Sequence, residues 1–442
     1  MTLWMRLREV RRYPSALASL VIIGALVLMA IYAVIRIPYA EAIRLWRAGE
    51  VIWLDNPRNA APKWVNWFGA SQPETIILPG DKVRKEIESL GSSVRRETFY
   101  FSFDFLYGNF PSELAMFFNA TYAKTPPQVN LLWRTPDGRE IAIGSRTIKA
   151  SDRYIISGDP VLQKRLGRSP EEGLFANPQA PEKTLKGRYT LVLEAYLFEE
   201  GAKIEPKLVV YGRVHGWAGT DHLRRDLTVA LLWGAPIAMI FGIAAAVGIS
   251  LAHFVISAIG AWFGGVVDLL IDRLTELRMI LPLLPILIMV GVLWTRSIWV
   301  LLLVLIVFNL IGGVKTYRAM FLQAREAPYI EAARAYGAGN FRIVFRYLIP
   351  RMIPVLIPAF VLAIPNYVFL EASLAILGLG DPLLPTWGKV IFDAYNQGAP
   401  FKGPHYWYWI LEPAALLMLT GLGFSMLGFT LDRIFNPRLR TL

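Results

Sequence analysis

The chain has 442 residues, 55% of them hydrophobic and only 18% charged, with a mean hydropathy of +0.41 and a formal net charge of +12. Ordinary soluble domains carry about 45–50% apolar and about 25% charged residues, so the composition excludes an ordinary soluble enzyme, a disordered chain and a collagen-like one. The lack of cysteine excludes disulfides, thiolate metal sites and cysteine nucleophiles, and the position of the charges must decide whether the basic balance serves nucleic acid, anionic lipid or membrane topology.

In chain order, the first element is an uncharged run, Ser15 to Ile35, behind Arg6, Arg8, Arg11 and Arg12. A cleaved signal peptide has an apolar core of about 7–15 residues ending on small side chains. Here the run is longer and closes on Arg36-Ile37-Pro38, which reads as an uncleaved membrane anchor. Residues 40–218 then form one polar block with 24 Lys+Arg against 21 Asp+Glu. A helical or irregular lead-in is expected there, followed by a β-sandwich at about 90–214. Glu97 to Phe105 alternates partly and is rich in aromatics, and Val129 to Trp133 leads through Thr135-Pro136-Asp137-Gly138 into Glu140 to Ile143, a hairpin pattern. Arg188 to Phe198 and Lys207 to Val214 have strand composition as well. The aromatics either form the core of this sandwich or stack on a sugar or partner. Further apolar runs at 227–252, 267–294, 298–321, 352–378 and 408–430 are each long enough to cross about 30 Å of hydrocarbon.

These runs predict an α-helical polytopic membrane protein with six transmembrane helices and an inserted β-rich domain. Its three parts are residues 1–39 (N-terminus and first span), 40–218 (insert) and 219–442 (a five-helix core). Outside the insert 22 basic residues face 13 acidic ones. Lys and Arg of short loops mark the cytoplasmic side. That side then holds the four N-terminal arginines, the loop with Lys315, Arg318, Arg325, Arg334, Arg342, Arg346 and Arg351, and the tail with Arg433, Arg438 and Arg440. The insert is expected on the extracytoplasmic side of the plasma (inner) membrane, with both termini in the cytoplasm.

The loop after the fourth span, about 322–350, holds the most specific pattern: Tyr329-Ile330-Glu331-Ala332-Ala333-Arg334-Ala335-Tyr336-Gly337, nine residues, then Tyr347-Leu348-Ile349-Pro350. Ala332 and Ala333 leave room for another protein's surface, Glu331 supplies a charge near a helix start, and Gly337 permits the conformation that ends the helix. The segment resembles the EAA loop of ABC importer permeases. Gly219-Thr220-Asp221-His222-Leu223-Arg224-Arg225-Asp226 is similar to the GTDxxGRD signature of the dipeptide/oligopeptide/nickel permeases, with Arg224 in place of glycine. Glu371 to Gly380 followed by Pro385-Thr386-Trp387-Gly388 resembles that family's EASLSFLGLG…PSWG stretch, and Asn436-Pro437-Arg438-Leu439-Arg440 its DPRLR ending. The likeness covers the anchor and about 217–440 and is nearest to the C-type subunit of the permease pair.

The resemblance implies a type I importer permease fold and a non-enzymatic subunit that forms half of a translocation pathway. It implies a second permease, two cytoplasmic ATPase subunits that bind ATP and magnesium, and an extracytoplasmic substrate-binding protein. Glu331, Ala332, Ala333 and Gly337 would contact an ATPase. Peptides are the family's default cargo, with oligosaccharides the alternative, and a membrane-anchored recognition protein acting through its β-rich domain is a reading from another class.

Other patterns are weaker. Gly378-Leu379-Gly380-Asp381 matches the GxGD string of intramembrane aspartyl proteases, but no second aspartate lies mid-span. Gly312-Gly313-Val314-Lys315-Thr316 lacks P-loop spacing, four scattered histidines form no metal constellation, and His253 reads as a lone residue near a membrane surface. No cofactor, metal or nucleic acid is expected on this chain, while the basic loop suits anionic lipid. Within the fifth span Glu371 is the informative carboxylate, either a pathway or gate residue or a helix–helix hydrogen-bonding group. Asn366 and Tyr367, beside Pro354, Pro358 and Pro365, complete the expected pathway lining.

Overall fold

The computed structural model describes residues 13–91 and 94–435. Arg6 to Arg12 and the 436–440 ending lie outside the described residues. Two compact units emerge: one is helical, comprising the chain up to Arg47, Val229–Phe401 and the chain from Ile410, and the other comprises Ala48–Thr228 with Lys402–Trp409.

The helical unit begins with α1 (Pro14–Arg36) and α2 (Tyr39–Arg47). Proline at the first turn of α1 costs no hydrogen bond, because that N–H has no intrahelical partner. The chain then enters the second unit, which is built on a β-sandwich. A four-stranded antiparallel sheet has the order β1 (Ile76–Pro79), β11 (Lys203–Tyr211), β4 (Glu113–Thr121), β7 (Ser151–Ile155). A five-stranded one runs β2 (Arg84–Ser89), β3 (Arg95–Phe105), β10 (Gly187–Leu197), β5 (Gln128–Arg134), β6 (Glu140–Thr147). Strands β1 and β2 precede the start expected near residue 90. Both are edge strands, one closed by Pro79 and the other exposed along its length, so neither carries the buried alternation that marks a strand in sequence.

The aromatics of β3 are core. Phe99, Phe101, Phe103 and Phe105 point inward at period two and are all buried. Phe103 and Phe105 meet Phe175 and Tyr189 with ring centroids 4.7–6.3 Å apart, and Trp133 joins them. The polar ends of these rings are satisfied: Trp133 Nε1 donates to the Leu174 carbonyl at 3.1 Å and the Tyr189 hydroxyl to Leu185 at 2.6 Å. Phe175 reaches the core from an excursion that carries helix α3 (Pro160–Leu166) and the two-strand ribbon β8 (Ala176–Asn177) and β9 (Ala180–Thr184). The β5–β6 hairpin forms as its turn residues require, with Gly138 at φ +83° and Thr135 exchanging backbone bonds with Gly138 and Arg139 at 3.0 Å.

The remaining helices of eight or more residues are α4 (Leu227–Phe263), α5 (Gly265–Ile280), α6 (Leu283–Leu293), α7 (Ile298–Asn309), α8 (Val314–Arg325), α9 (Pro328–Ala335), α10 (Ile349–Leu374), α11 (Trp387–Asn396) and α12 (Trp407–Phe435). Helices α1, α4 and α12, and the continuous stretch Asn340–Leu379 that contains α10, are each long and apolar enough to cross a membrane. The third and fourth apolar runs are broken instead. Helices α5 and α6 meet at 72° and α7 and α8 at 47°, which brings the number of spans to six when each bent pair is one. The first break falls at Leu281-Pro282, where proline disfavours helix in the residue before it, and the second at the Leu310 to Gly313 turn. Prolines 354, 358 and 365 sit inside α10 without ending it.

His253 departs from expectation. Its Nε2 lies 3.0 Å from the Gly313 N–H and 2.5 Å from the Asn309 carbonyl, so it ties α4 to the α7–α8 turn. Asp381 has a structural task too. Its carboxylate accepts the N–H of Ile298 at 3.1 Å, capping the otherwise unpaired first donor of α7, and that of Leu383 in its own loop at 2.8 Å.

Candidate coupling and signature sites

Helix α9 starts at Pro328 and has one buried anchor, Ile330, which packs with Phe254, Ala258, Trp262 and Phe321. Arg334 holds the same surface, with its guanidinium 4.5 Å from the centre of the Trp262 ring. The end of the helix is a full Schellman closure. Ala338 N–H donates to Ala333 at 3.0 Å, Gly337 N–H donates to Arg334 at 2.9 Å, and Gly337 takes φ +76°. A side chain at 337 would meet no neighbour, so the left-handed backbone alone is what favours glycine there.

Seated in this way, α9 leaves the other part of its surface open. Glu331, Ala332 and Gly337 are exposed and Ala333 partly so. Tyr336 is 92% exposed, and Phe341 and Phe345 extend the apolar surface beyond it, with near-parallel rings 6.5 Å apart. The preceding helix is fixed through salt bridges: Arg318 pairs with Asp268, Lys315 reaches Asp272 and Glu276 at 3.3 Å, and Arg325 donates to the Ala261 carbonyl at 2.9 Å. A rigid base carrying an exposed, small-residue helix is suited to receiving a protein surface. Sequence reasoning selected Glu331, Ala332, Ala333 and Gly337 but passed over Tyr336, Phe341 and Phe345. Exposed aromatics on a basic loop are a signal that was present.

The 219–226 segment is the opposite kind of site. Gly219 has φ +73°, and a Cβ there would run into the Ala60 carbonyl and the Tyr408 ring. The Thr220 hydroxyl accepts the Ala60 N–H at 3.0 Å and donates to the Pro57 carbonyl at 2.7 Å. Asp221 is fully buried, pairs with Arg225 at 2.5 Å and accepts the N–H groups of Leu223 and Arg225 at 2.9 Å. Asp226 accepts the Thr228 N–H at 2.8 Å and so caps the start of α4. These side chains act on their own loop and its neighbours rather than facing outward.

Arg224 explains its own departure from glycine. Its φ of +64° is the conformation that glycine adopts without cost. An arginine there bears about 1–2 kcal/mol of backbone strain, and its guanidinium finds partners in the inserted domain. It donates to the Asn56 carbonyl at 2.6 Å and to Glu113 of β4 at 2.5 Å, and lies 4.2 Å from the centre of the Tyr211 ring. Burial pushes the Tyr211 phenol up to about 12, with Arg224 pulling the other way.

Trp387 and Gly388 are packing residues of the helical unit. The Trp387 indole fills a notch at Gly234, and its N–H donates to the Leu231 carbonyl at 2.9 Å. A Cβ at Gly388 would lie 2.7 Å from the Cα of Ala372 and 2.8 Å from the Cβ of Ala375, so glycine allows α11 to approach α10. On α10, Glu371 is 5% exposed and lines, with Asp381, a small cavity of about 10 Å³. Tyr367 is half-buried among apolar side chains, and Asn366 is exposed on another face of the helix. The three residues therefore do not converge on one cavity. Among the described residues no group of three metal-ligating side chains comes together.

Comparison with known proteins places the helical part. Residues 244–441 match the family described as binding-protein-dependent transport system inner membrane component. The chain is 32% identical over 207 residues to the peptidoglycan transport system permease protein YejE of Agrobacterium fabrum, covering 46% of this chain and 54% of that one. It is 30% identical over 225 residues to the dipeptide transport system permease protein DppC of Bacillus subtilis, covering 51% of this chain and 69% of the relative. It is 29% identical over 225 residues to the oligopeptide transport system permease protein OppC of the same organism, covering 51% and 72%. The matched length is close to that of the spans, and the strands of the sandwich lie upstream of the family match. The chain therefore belongs to the binding-protein-dependent transport system inner membrane components, the multi-pass permeases of ABC importers.

Proposed function

We propose that this permease carries oligopeptides or dipeptides inward as one of two permease subunits, driven by two cytoplasmic ATPase subunits and supplied by an extracytoplasmic binding protein. The observation that carries this reading is the exposed Glu331–Gly337 segment on its fixed base, beside relatives named for dipeptide and oligopeptide transport. In this mechanism ATP and magnesium act in the ATPases. Their closure pushes on α9, and the pathway shifts between outward-open and inward-open packings. The chain itself makes and breaks no covalent bond. Cytoplasmic termini and an extracytoplasmic insert follow from the charge asymmetry of the short loops.

Within the pathway, Asn366 and Tyr367 are the lining residues we favour. Glu371, buried beside Asp381 in a cavity of about one water's size, fits better as a group that positions α10. The peptidoglycan-transport name of one relative makes a glycan-bearing cargo the second reading. Uptake of a labelled tetrapeptide by proteoliposomes holding the whole transporter tests the proposal. Glu331→Ala and Gly337→Val are expected to abolish ATP-dependent uptake while assembly of the two permeases persists. Full uptake by both variants would overturn it.

A further inference from the structure

The outward face of the five-stranded sheet is recessed. Val192 and Thr98 point away from the sandwich core, yet only 5% and 9% of their surfaces are exposed. They lie on the floor of a trough of about 630 Å³, whose walls rise along β2 on one side and β6 on the other. A register irregularity between Leu131 and Leu132 lies in the β5–β6 pairing, and such bulges add local bend and twist to a sheet. The volume falls in the range of about 300–1,000 Å³ typical of ligand sites.

The chemistry of this face, in and beside the trough, runs in rows across the strands. One row is Arg84, Tyr100, Val192 and Leu132, the next is Glu86, Thr98, Glu194 and Asn130, and a third is Glu88, Arg96, Tyr196 and Gln128. The arginines are already matched: Arg84 pairs with Glu86 at 2.6 Å, Arg96 with Glu88, and Arg134 with Glu140 at 2.8 Å. The Tyr100 hydroxyl donates to Glu86 at 2.9 Å, and the Tyr196 hydroxyl to Glu194 at 3.3 Å. An anionic ligand would have to break these pairs. An extended peptide has no backbone partner on this face, because β3, β10 and β5 have ladder neighbours on both sides and strand addition requires a free edge.

What remains is an apolar floor of valine, leucine and tyrosine ring, bordered by carboxylate, guanidinium and amide groups held in place by one another. A pyranose has the matching profile, with C–H faces and a rim of hydroxyls that both donate and accept. We infer that the trough of the five-stranded sheet binds a neutral oligosaccharide segment, with Val192, Leu132 and Tyr100 against the sugar faces and Glu86, Glu194 and Asn130 bonding to hydroxyls. The site is formed within the insert, and the inference stands apart from the question of which cargo the spans carry.

Calorimetric titration of the full chain in nanodiscs, without ATPases or binding protein, tests this separately from transport. The probes are a β-1,4-linked N-acetylglucosamine hexamer, maltohexaose and an uncharged hexapeptide. At least one hexasaccharide is expected to bind, and the peptide is not. Tyr100→Ala and Asn130→Ala should each weaken that binding about tenfold, the size of one or two lost contacts. Asn130→Trp, which fills the trough, should abolish it, and exposed Lys149→Ala should not change it. Near-ultraviolet circular dichroism of each variant shows whether the sandwich remains folded, and binding is compared among folded variants. Failure of both sugars to bind at millimolar concentration, equal binding of the peptide, or sugar binding that survives Asn130→Trp would each overturn the inference.

Discussion

Residues 219–226 and 328–338 are both short motifs that stand out in the sequence, and the structure uses them in opposite ways. In the first, Thr220, Asp221, Arg224 and Arg225 are buried and their hydrogen bonds close on the surrounding loops. In the second, one buried isoleucine and one arginine on a tryptophan hold a helix whose other residues face outward. Motif residues of the first kind hold the backbone in place. Those of the second kind are available to a partner. The same spacing rules mark both, and burial separates them.

The contrast can be broken by substitution. Asp221→Ala removes the carboxylate beside a guanidinium that is 6% exposed and should destabilise the insert by about 3–5 kcal/mol. Thermal unfolding in detergent would show this, and an unchanged midpoint would contradict the framework role. Glu331→Ala should change the stability by less than about 0.5 kcal/mol while lowering transporter-dependent uptake at least about tenfold, equivalent to about 1.4 kcal/mol of coupling. If Glu331→Ala unfolds the protein and Asp221→Ala does not, the comparison is inverted.

Arg224 sharpens it. Arg224→Ala keeps the left-handed backbone and loses the bonds to Asn56 and Glu113, so a loss of about 2–3 kcal/mol is expected. Arg224→Gly loses the same bonds but relieves the strain, and should be milder by about 1 kcal/mol. Equal melting points for the two variants would remove backbone strain from the account. The smallest effect expected is a pH dependence at His215. Burial lowers this imidazole from its ordinary 6.5, against the raising effect of Asp226. The folded state therefore refuses a proton that the unfolded chain accepts. Stability should be fully present above pH 6.5 and fall as the pH drops through 6.5 toward the lower folded value. His215→Gln should flatten that part of the profile in a denaturant titration repeated across pH.

Much of the fold was legible because its signals are local. A lipid-length apolar run, a Thr-Pro-Asp-Gly turn between strand patterns and a glycine at a helix end each carry their own instruction. The breaks at Pro282 and Gly312-Gly313, the two edge strands before residue 90 and the embedding of His253 were less legible. Each depends on what packs alongside: an edge strand needs a neighbour on one side only, and a histidine between two helices has no sequence period. The expected pathway residues show the same limit, since Asn366 and Glu371 are five residues apart and face different surroundings.

The sequence by itself determined the class of the protein. Its +12 charge separated into a nearly balanced block at 40–218 and a basic remainder, and its 55% hydrophobic content into lipid-length runs and one ordinary domain, because composition and spacing are properties of the chain. Tertiary structure decided which residues are free to act. It buried the phenylalanines of β3 in the core, opened a trough on the reverse of the same strand, and gave Arg224 a reason to occupy a glycine's place. Those outcomes depend on the opposite face of a strand and on partners about a hundred residues away, and no local pattern encodes them.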